Sequence, residues 1–288
     1  MDLEFLTIRP QFVLVKSLNE SFTSSTIVTN TGAPQGTVLA PTLFSIYTDN
    51  CRGKFDNIPI IKYADDTSIQ ALIKSDDDLY NYKQEISNFV NWCQDHYLQL
   101  NVKKTKELIF DFRIKDNDHI PVDISNEQVE RVLEYKYLGV LFDEKLEWHS
   151  QANKVQKKIN QRMYFMRKLH SFNIDNTLLS LFYQSCVLSI LNFCLSAWGG
   201  NTRNSDKRRI NSSLRSAGKM MKHTMHDTID IILGQQNNKK LHKILKDKSH
   251  PLHQHIHISV RSGRLIHLKA RTTRHLHSFM PAAVRNFH

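Results

Sequence analysis

A chain of 288 residues with 40% hydrophobic and 23% charged content has enough apolar side chains for one large or two modest packed domains, which excludes disorder throughout. The net charge of +11 is unevenly shared: residues 1–150 hold 15 Lys and Arg against 23 Asp and Glu, a net of −8, whereas residues 151–288 hold 24 against 5, a net of +19. So cationic a half favours polyanions as partners, nucleic acid first, with a merely solubilising surface as the plain alternative.

The cysteines Cys51, Cys93, Cys186 and Cys194 form no CxxC pair and no cluster, which argues against a disulfide framework and a zinc ribbon. The opening MDLEFLTIRP carries acids where a secretory signal needs bases. Both features fit an intracellular location, cytoplasm or nucleus.

In chain order, ESFTSSTIVTN (20–30) predicts a strand or hairpin leading into the punctuated stretch TGAPQG. A short helix is expected after Pro41, with Leu43, Phe44 and Tyr47 on one face packed under a sheet. IPIIKYADDTSIQALI (58–73) predicts two strands meeting at a turn, which places Asp65 and Asp66 at the rim of their sheet. Ser75 followed by Asp76, Asp77 and Asp78 is a helix start, continued at helical spacing by Leu79, Tyr82, Ile86, Phe89, Val90, Cys93 and Tyr97. Further strands are expected over ELIFDFR (107–113) and VLEYKYLGVLF (132–142), joined by a polar connection.

From Ser150 the pattern turns helical, with Ala152, Val155, Ile159, Met163, Met166 and Leu169 on one face and Lys154, Lys157, Lys158, Arg162, Arg167 and Lys168 around the rest. A domain boundary is therefore placed near residue 148. Between Asp175 and Arg203 there is no charge, and Leu178 to Trp198 is long enough to span a bilayer. Gln184, Asn192, Ser180, Ser185, Ser189 and Ser196 instead favour a buried helical pair, so no stable membrane span is expected. A second basic helix is capped at Ser205, with Ile210, Leu214, Ala217 and Met221 on one stripe. From about residue 250 the chain is rich in His and Arg without periodicity. In a strand, His253, His255 and His257 would face one side and offer a site for Zn²⁺ or Ni²⁺, though no carboxylate or cysteine stands near.

An acidic pair at a strand turn is more often structural than metal-binding on spacing alone. In this chain the pair has company. TGAPQGTVLAPTLF, KYADD, LQLNVKKTKELIF and YKYLGVLFD, in that order over about 110 residues, resemble the later palm motifs of the reverse transcriptases of non-LTR, LINE-like retrotransposons. Similarity continues through QKKINQRMYFMRKLHSF, LNFCLSAWGG and SGRLIHLKARTTRHLHSFMPAAV. The resemblance implies an α+β fold: a partial polymerase palm, with a ferredoxin-like sheet and helices, over 1–148. A basic, thumb-like helical and connecting region would follow over 149–249, and a His/Arg-rich tail over 250–288.

It also implies an RNA-directed DNA polymerase of a mobile element, with an RNA template, a DNA primer and deoxynucleotides as partners. Asp65 and Asp66 would hold Mg²⁺, Asp65 the more strongly, with Tyr63 near the primer end and the nucleotide. Pro34, Gln35 and Gly36 would lie beside the template and incoming nucleotide, where residue chemistry alone reads a plain turn. Lys104 in LNVKKTK would donate a proton to the departing pyrophosphate or steady its charge, where residue chemistry alone reads a solvated lysine run. Tyr137, Leu138 and Gly139 would support the primer strand, where the bare sequence reads a strand with a bulge-prone glycine. The cationic helices of 151–288 would track a nucleic-acid backbone.

A polymerase of this type needs a third carboxylate on an apolar strand upstream of the PQG loop. The 33 residues before Pro34 offer Asp2, Glu4 and Glu20, none within such a strand. The expectation is thus a truncated palm with an unpaired sheet edge and little or no polymerase activity alone. A non-catalytic nucleic-acid-binding remnant is the alternative. A further resemblance, of segment 150–200 to the amino-terminal region of AlkB-homologue tRNA-modification enzymes, comes without that chemistry, since the chain has no HxD tripeptide for iron and no Gly-rich nucleotide loop.

Overall fold

The computed structural model describes residues 8–17, 20–30, 32, 36–113, 120–222, 227–266 and 268–287. These fall into two units, Met1–Thr105 with Ile120–Val129, and Lys106–His119 with Glu130–His288. The α+β class holds, with the described strands paired as six two-stranded sheets rather than one ferredoxin-like sheet. The boundary expected near residue 148 falls inside the second unit.

The first unit opens with a nested ribbon. β1 (Arg9–Gln11) pairs antiparallel with β4 (Ile27–Thr29), and β2 (Leu14–Lys16) with β3 (Ser21–Thr23). β3 and β4 thus pair back upstream instead of with each other. Its β-branched and aromatic residues suit strands, yet Phe12, Val13 and Phe22 are more than half exposed. α1 (Leu39–Tyr47) begins two residues before Pro41, because the Thr37 hydroxyl accepts from the Ala40 N–H (3.3 Å) and a proline in the first turn forfeits no helical bond. No residue of α1 is buried, contrary to the expectation that it packs under a sheet. The next strands, β5 (Ile60–Tyr63) and β6 (Asp66–Ile69), make only a two-stranded hairpin, too narrow a roof for a helix.

α2 (Asp76–Asp95) starts as its sequence dictates: Ser75 Oγ accepts from the Asp78 N–H (3.2 Å) while Asp78 accepts from the Ser75 N–H (3.0 Å). The carboxyl is held below its ordinary value by the bonds it accepts, from the Lys74 N–H foremost, then the Ser75 hydroxyl and the Ser75 N–H. Tyr97, expected on the apolar stripe, lies past the helix end at φ +50° and is exposed. The chain leaves this unit for β7 (Lys106–Glu107) and re-enters it for the tight hairpin of β8 (Asp123–Ile124) and β9 (Glu127–Gln128). Ile86 of α2 packs there on Val122, Ile124 and Val129 to form the unit's small core. Cys93 is buried nearby, and burial, with Cys51 adding, pushes its thiol up to about 11, so it stays a neutral core side chain.

In the second unit β7 pairs parallel with β10 (Glu130–Arg131). That stub is all that forms of the strand expected over 107–113. The Asp111 carboxylate takes the Arg113 N–H (2.9 Å) and guanidinium, a local bond that competes with a ladder, and Arg274 lies over the Phe112 ring at 4.1 Å. β11 (Glu134–Tyr137) and β12 (Val140–Asp143) form a hairpin. α3 (His149–Ser171) follows, with Ala152, Val155, Ile159, Met163 and Met166 of the predicted stripe buried and Leu169 half-buried against the same core.

The uncharged stretch forms α4 (Asn176–Phe182), a π turn over Tyr183–Leu188 and α5 (Ser189–Asn192), then α6 (Leu195–Trp198). Leu179, Tyr183, Val187 and Leu191, every fourth residue, are all buried. A period of four drifts around an α-helix of about 3.6 residues per turn, and the wider π turn brings the stripe back into line. No single helix among the described residues is long and apolar enough to cross a membrane, although the bent pair Asn176–Asn192 plus Leu195–Asn201 meets the length and composition.

α7 (Asn204–Met220) starts one residue before the expected Ser205 cap, and α8 (Ile229–Lys246) is capped by Thr228; both pack into the same core as α3. The carboxyl-terminal segment, where no periodicity was visible, forms α9 (Thr273–His277) and α10 (Phe279–Arg285), whose Ala283 and Val284 are buried with Leu241 of α8. His253–His255 form a 3-10 turn instead of the strand their alternation suggested.

Candidate active site

The Asp65 and Asp66 pair sits where the hairpin closes. Tyr63 lies directly across from Asp66, so Ala64 and Asp65 form a two-residue turn. Ala64 adopts φ +54°, a left-handed conformation that costs an L residue roughly 1–2 kcal/mol. Strain of this kind concentrates at functional sites. The two faces differ. Lys62 points to the inner face, where its ammonium bonds the Thr48 carbonyl, whereas Ile61 and Tyr63 point outward, with Tyr63 66% exposed. Opposed residues share a face in an antiparallel pair, so Asp66 and Tyr63 project together, with Asp65 at the tip. Both aspartates are exposed, and among the described residues neither side chain has a hydrogen-bond or ion-pair partner.

Behind the hairpin stands a carboxylate that the sequence reading did not single out. Glu85 of α2 is wholly buried and accepts from the N–H groups of Lys54 (3.0 and 3.1 Å) and Phe55 (3.3 Å), fixing the loop that enters β5. Lys104 lies in the same unit, on a turn in which its N–H bonds the Asn101 carbonyl and side chain, both at 3.1 Å. Its side chain is exposed, and no hydrogen bond or ion pair joins it to Asp65 or Asp66. Gly36 takes φ +79°, which suits glycine, while Pro34 and Gln35 lie outside the described residues.

Tyr137, Leu138 and Gly139 belong to the second unit. Leu138 (φ +44°) and Gly139 (φ +88°) are the two central residues of a type I′-like turn between β11 and β12, so the glycine belongs to a hairpin tip and not to a bulge. A side chain at Gly139 would meet the Phe193 ring at 3.1 Å. Two α3 side chains hold the turn: Lys154 Nζ donates to the Gly139 carbonyl (2.8 Å), and Gln151 Oε1 accepts from the Leu141 N–H (3.0 Å).

Deeper in this unit Asp206 is buried between α3 and α7. His149 Nδ1 bonds it at 2.9 Å, Arg209 bonds its other oxygen, and Asn153 links both partners. Burial pushes the Asp206 carboxyl up, but the His149 and Arg209 bonds outweigh it and leave the group below its ordinary value. The grouping is structural. Among the described residues no set of three or more His, Cys, Asp or Glu could hold a metal ion, so the histidine site considered for Zn²⁺ or Ni²⁺ does not form there.

Residues 2–142 match the family model of reverse transcriptase (RNA-dependent DNA polymerase), and residues 148–189 match that of alkylated DNA repair protein alkB homolog 8, N-terminal. The second match covers α3, α4 and the π turn that follows, a helical segment without an iron triad. The chain is similar to the probable RNA-directed DNA polymerase from transposon BS of Drosophila melanogaster, 25% identical over 60% of this chain and 20% of that protein. It is also similar to the RNA-directed DNA polymerases from mobile element jockey of Drosophila funebris (28% identical, 50% of this chain, 17% of that one) and Drosophila melanogaster (24%, 46% and 15%). The chain thus spans a fifth or less of the length of these curated relatives. No solved structure matches it. The motif order, the acidic hairpin and these relatives agree: residues 2–142 carry a partial reverse transcriptase region, similar to those of non-LTR retrotransposon polymerases.

Proposed function

We propose that this chain supplies the metal-binding carboxylates and the duplex-holding helices of an RNA-directed DNA polymerase of a mobile element, and that alone it binds nucleic acid without extending a primer. The observation that carries this reading is the strained hairpin tip that presents Asp65 and Asp66 unpaired beside Tyr63. Two open carboxylates are a hard-oxygen donor set that fits Mg²⁺, which commonly takes one or two carboxylates and completes its shell with water and substrate phosphates. When bound, such a cation supplies charge neutralisation at the phosphates and activation of the primer hydroxyl.

Asp65 and Asp66 hold that position, and Tyr63 contacts the primer end or nucleotide from the shared face. Gly36, with Pro34 and Gln35, borders the template. Lys104 would donate a proton to the departing pyrophosphate or steady its charge. The Tyr137–Gly139 turn supports the primer, and the +19 charge of residues 151–288 tracks the duplex backbone. The expectation of no extension rests on the donor count, since among the described residues no third His, Cys, Asp or Glu is grouped with the two carboxylates to hold a metal ion.

The test uses purified chain, an RNA template annealed to a DNA primer, deoxynucleotides and Mg²⁺. Salt-sensitive binding without extension is expected; extension abolished by Asp65→Ala would refute the inactivity, and absence of binding would refute the whole reading. The lopsided charge favours a second reading, a binding remnant whose acidic hairpin has no role. Under it Asp65→Ala leaves Mg²⁺-dependent nucleotide binding unchanged, whereas the first reading predicts its loss.

A further inference from the structure

We infer that Lys154 and Gln151 of α3 are positioning residues for the Tyr137–Gly139 turn, and that through them the helix sets the grip on the primer end. The inference rests on the reading of that turn as primer support.

A hairpin of two four-residue strands is marginal by itself, and its first turn residue, Leu138, is left-handed without being glycine. What fixes the tip comes from elsewhere in the unit. Lys154 Nζ bonds the Gly139 carbonyl at the apex (2.8 Å), Gln151 Oε1 takes the Leu141 N–H one step down (3.0 Å), and the Phe193 ring closes against Gly139. Gln151 is only 2% exposed, so its carboxamide is buried to serve one backbone group.

Lys154 is the more telling residue. Burial first, then Lys136 and Lys158, hold its ammonium below the ordinary lysine value, and Glu134 offsets only part of this. A folded state that disfavours the charged lysine gains stability as pH rises toward the unfolded value, so at neutral pH the charge costs stability. A methionine, uncharged and one atom shorter, would fill most of that place without the cost. The ammonium at the apex therefore fits a role in geometry better than one in holding the fold together.

The experiment compares the full chain with Lys154→Met, Lys154→Arg and Lys157→Met. Lys157 lies one turn along α3, exposed, and removes the same charge without touching the hairpin. Affinity is measured by fluorescence anisotropy for a primer–template with a recessed 3′ end and for a blunt duplex of equal length. Hydrogen exchange is read at residues 138–141. Wild type should prefer the recessed end, and Lys157→Met should weaken both ligands alike. Lys154→Met should lose that preference and exchange its hairpin amides roughly tenfold faster, the scale of one lost hydrogen bond, with the unfolding midpoint no lower. Lys154→Arg, which keeps a donor, should restore both. A Lys154→Met protein that keeps the wild-type preference overturns the inference. If wild type shows no preference while Lys154→Met still speeds exchange, the primer-support reading is what has failed: the bond is then architectural, and the positioning role falls with it.

Discussion

Glu85 gives the sharpest test of how the first unit holds its acidic hairpin. The carboxylate is fully buried and serves two backbone N–H groups through three contacts at 3.0–3.3 Å. Glu85→Ala removes a charged acceptor whose bonds contribute about 1.5–3 kcal/mol and leaves two donors to find water. A loss of about 3 kcal/mol is expected for this unit, and about half that for Glu85→Gln, which keeps one oxygen. With a urea slope near 2 kcal/mol/M, the alanine variant should unfold at about 1.5 M less urea. Hydrogen exchange on peptides from α2, followed across a urea series, reads this unit separately from the second. A shift under about 0.5 kcal/mol would show that the loop entering β5 does not depend on Glu85 and would refute the reasoning.

Gly139→Ala places a Cβ 3.1 Å from the Phe193 ring at φ +88°, so the second unit should lose about 2 kcal/mol, measured as a lower thermal midpoint. In Gly200→Ala the added Cβ would fall 2.0 Å from the His277 carbonyl oxygen; the α9–α10 segment should undock and be cleaved first in limited proteolysis, while α3 and α7 stay protected. Asp206 has a depressed folded value, so its stabilisation is present above the unfolded carboxylate value of about 3.9 and is lost as pH falls through the folded one. The wild-type urea midpoint should therefore drop below about pH 4 more steeply than that of Asp206→Asn.

Elements fixed by neighbours in sequence were readable in advance. The Ser75–Asp78 cap, the KYADDTSI hairpin and the buried stripe of α3 each rest on residues a few positions apart. The strand expected over 107–113 failed because Asp111 found Arg113 and Phe112 found Arg274, a partner from the far end of the chain. α8 has little sequence signal of its own, since Gly234, Asn237 and Asn238 are weak helix formers and its order comes from burial against neighbouring helices. α10 is seven residues long and depends on Leu241, while α9 before it depends on the space that Gly200 leaves for His277. At the candidate site the hairpin turn that carries Asp65 and Asp66 was legible from the β-rich runs on either side of it. Glu85, Gln151 and Lys154 were not, because their partners are backbone atoms, which a sequence does not name.

The most direct measurement of the central claim is paramagnetic broadening by Mn²⁺, standing in for Mg²⁺, across the amide spectrum of the full chain. The account predicts broadening centred on Ala64, Asp65, Asp66 and Thr67 that Asp65→Ala and Asp66→Ala each remove while the rest of the spectrum stays in place. Broadening centred elsewhere, or unchanged by both substitutions, would contradict it.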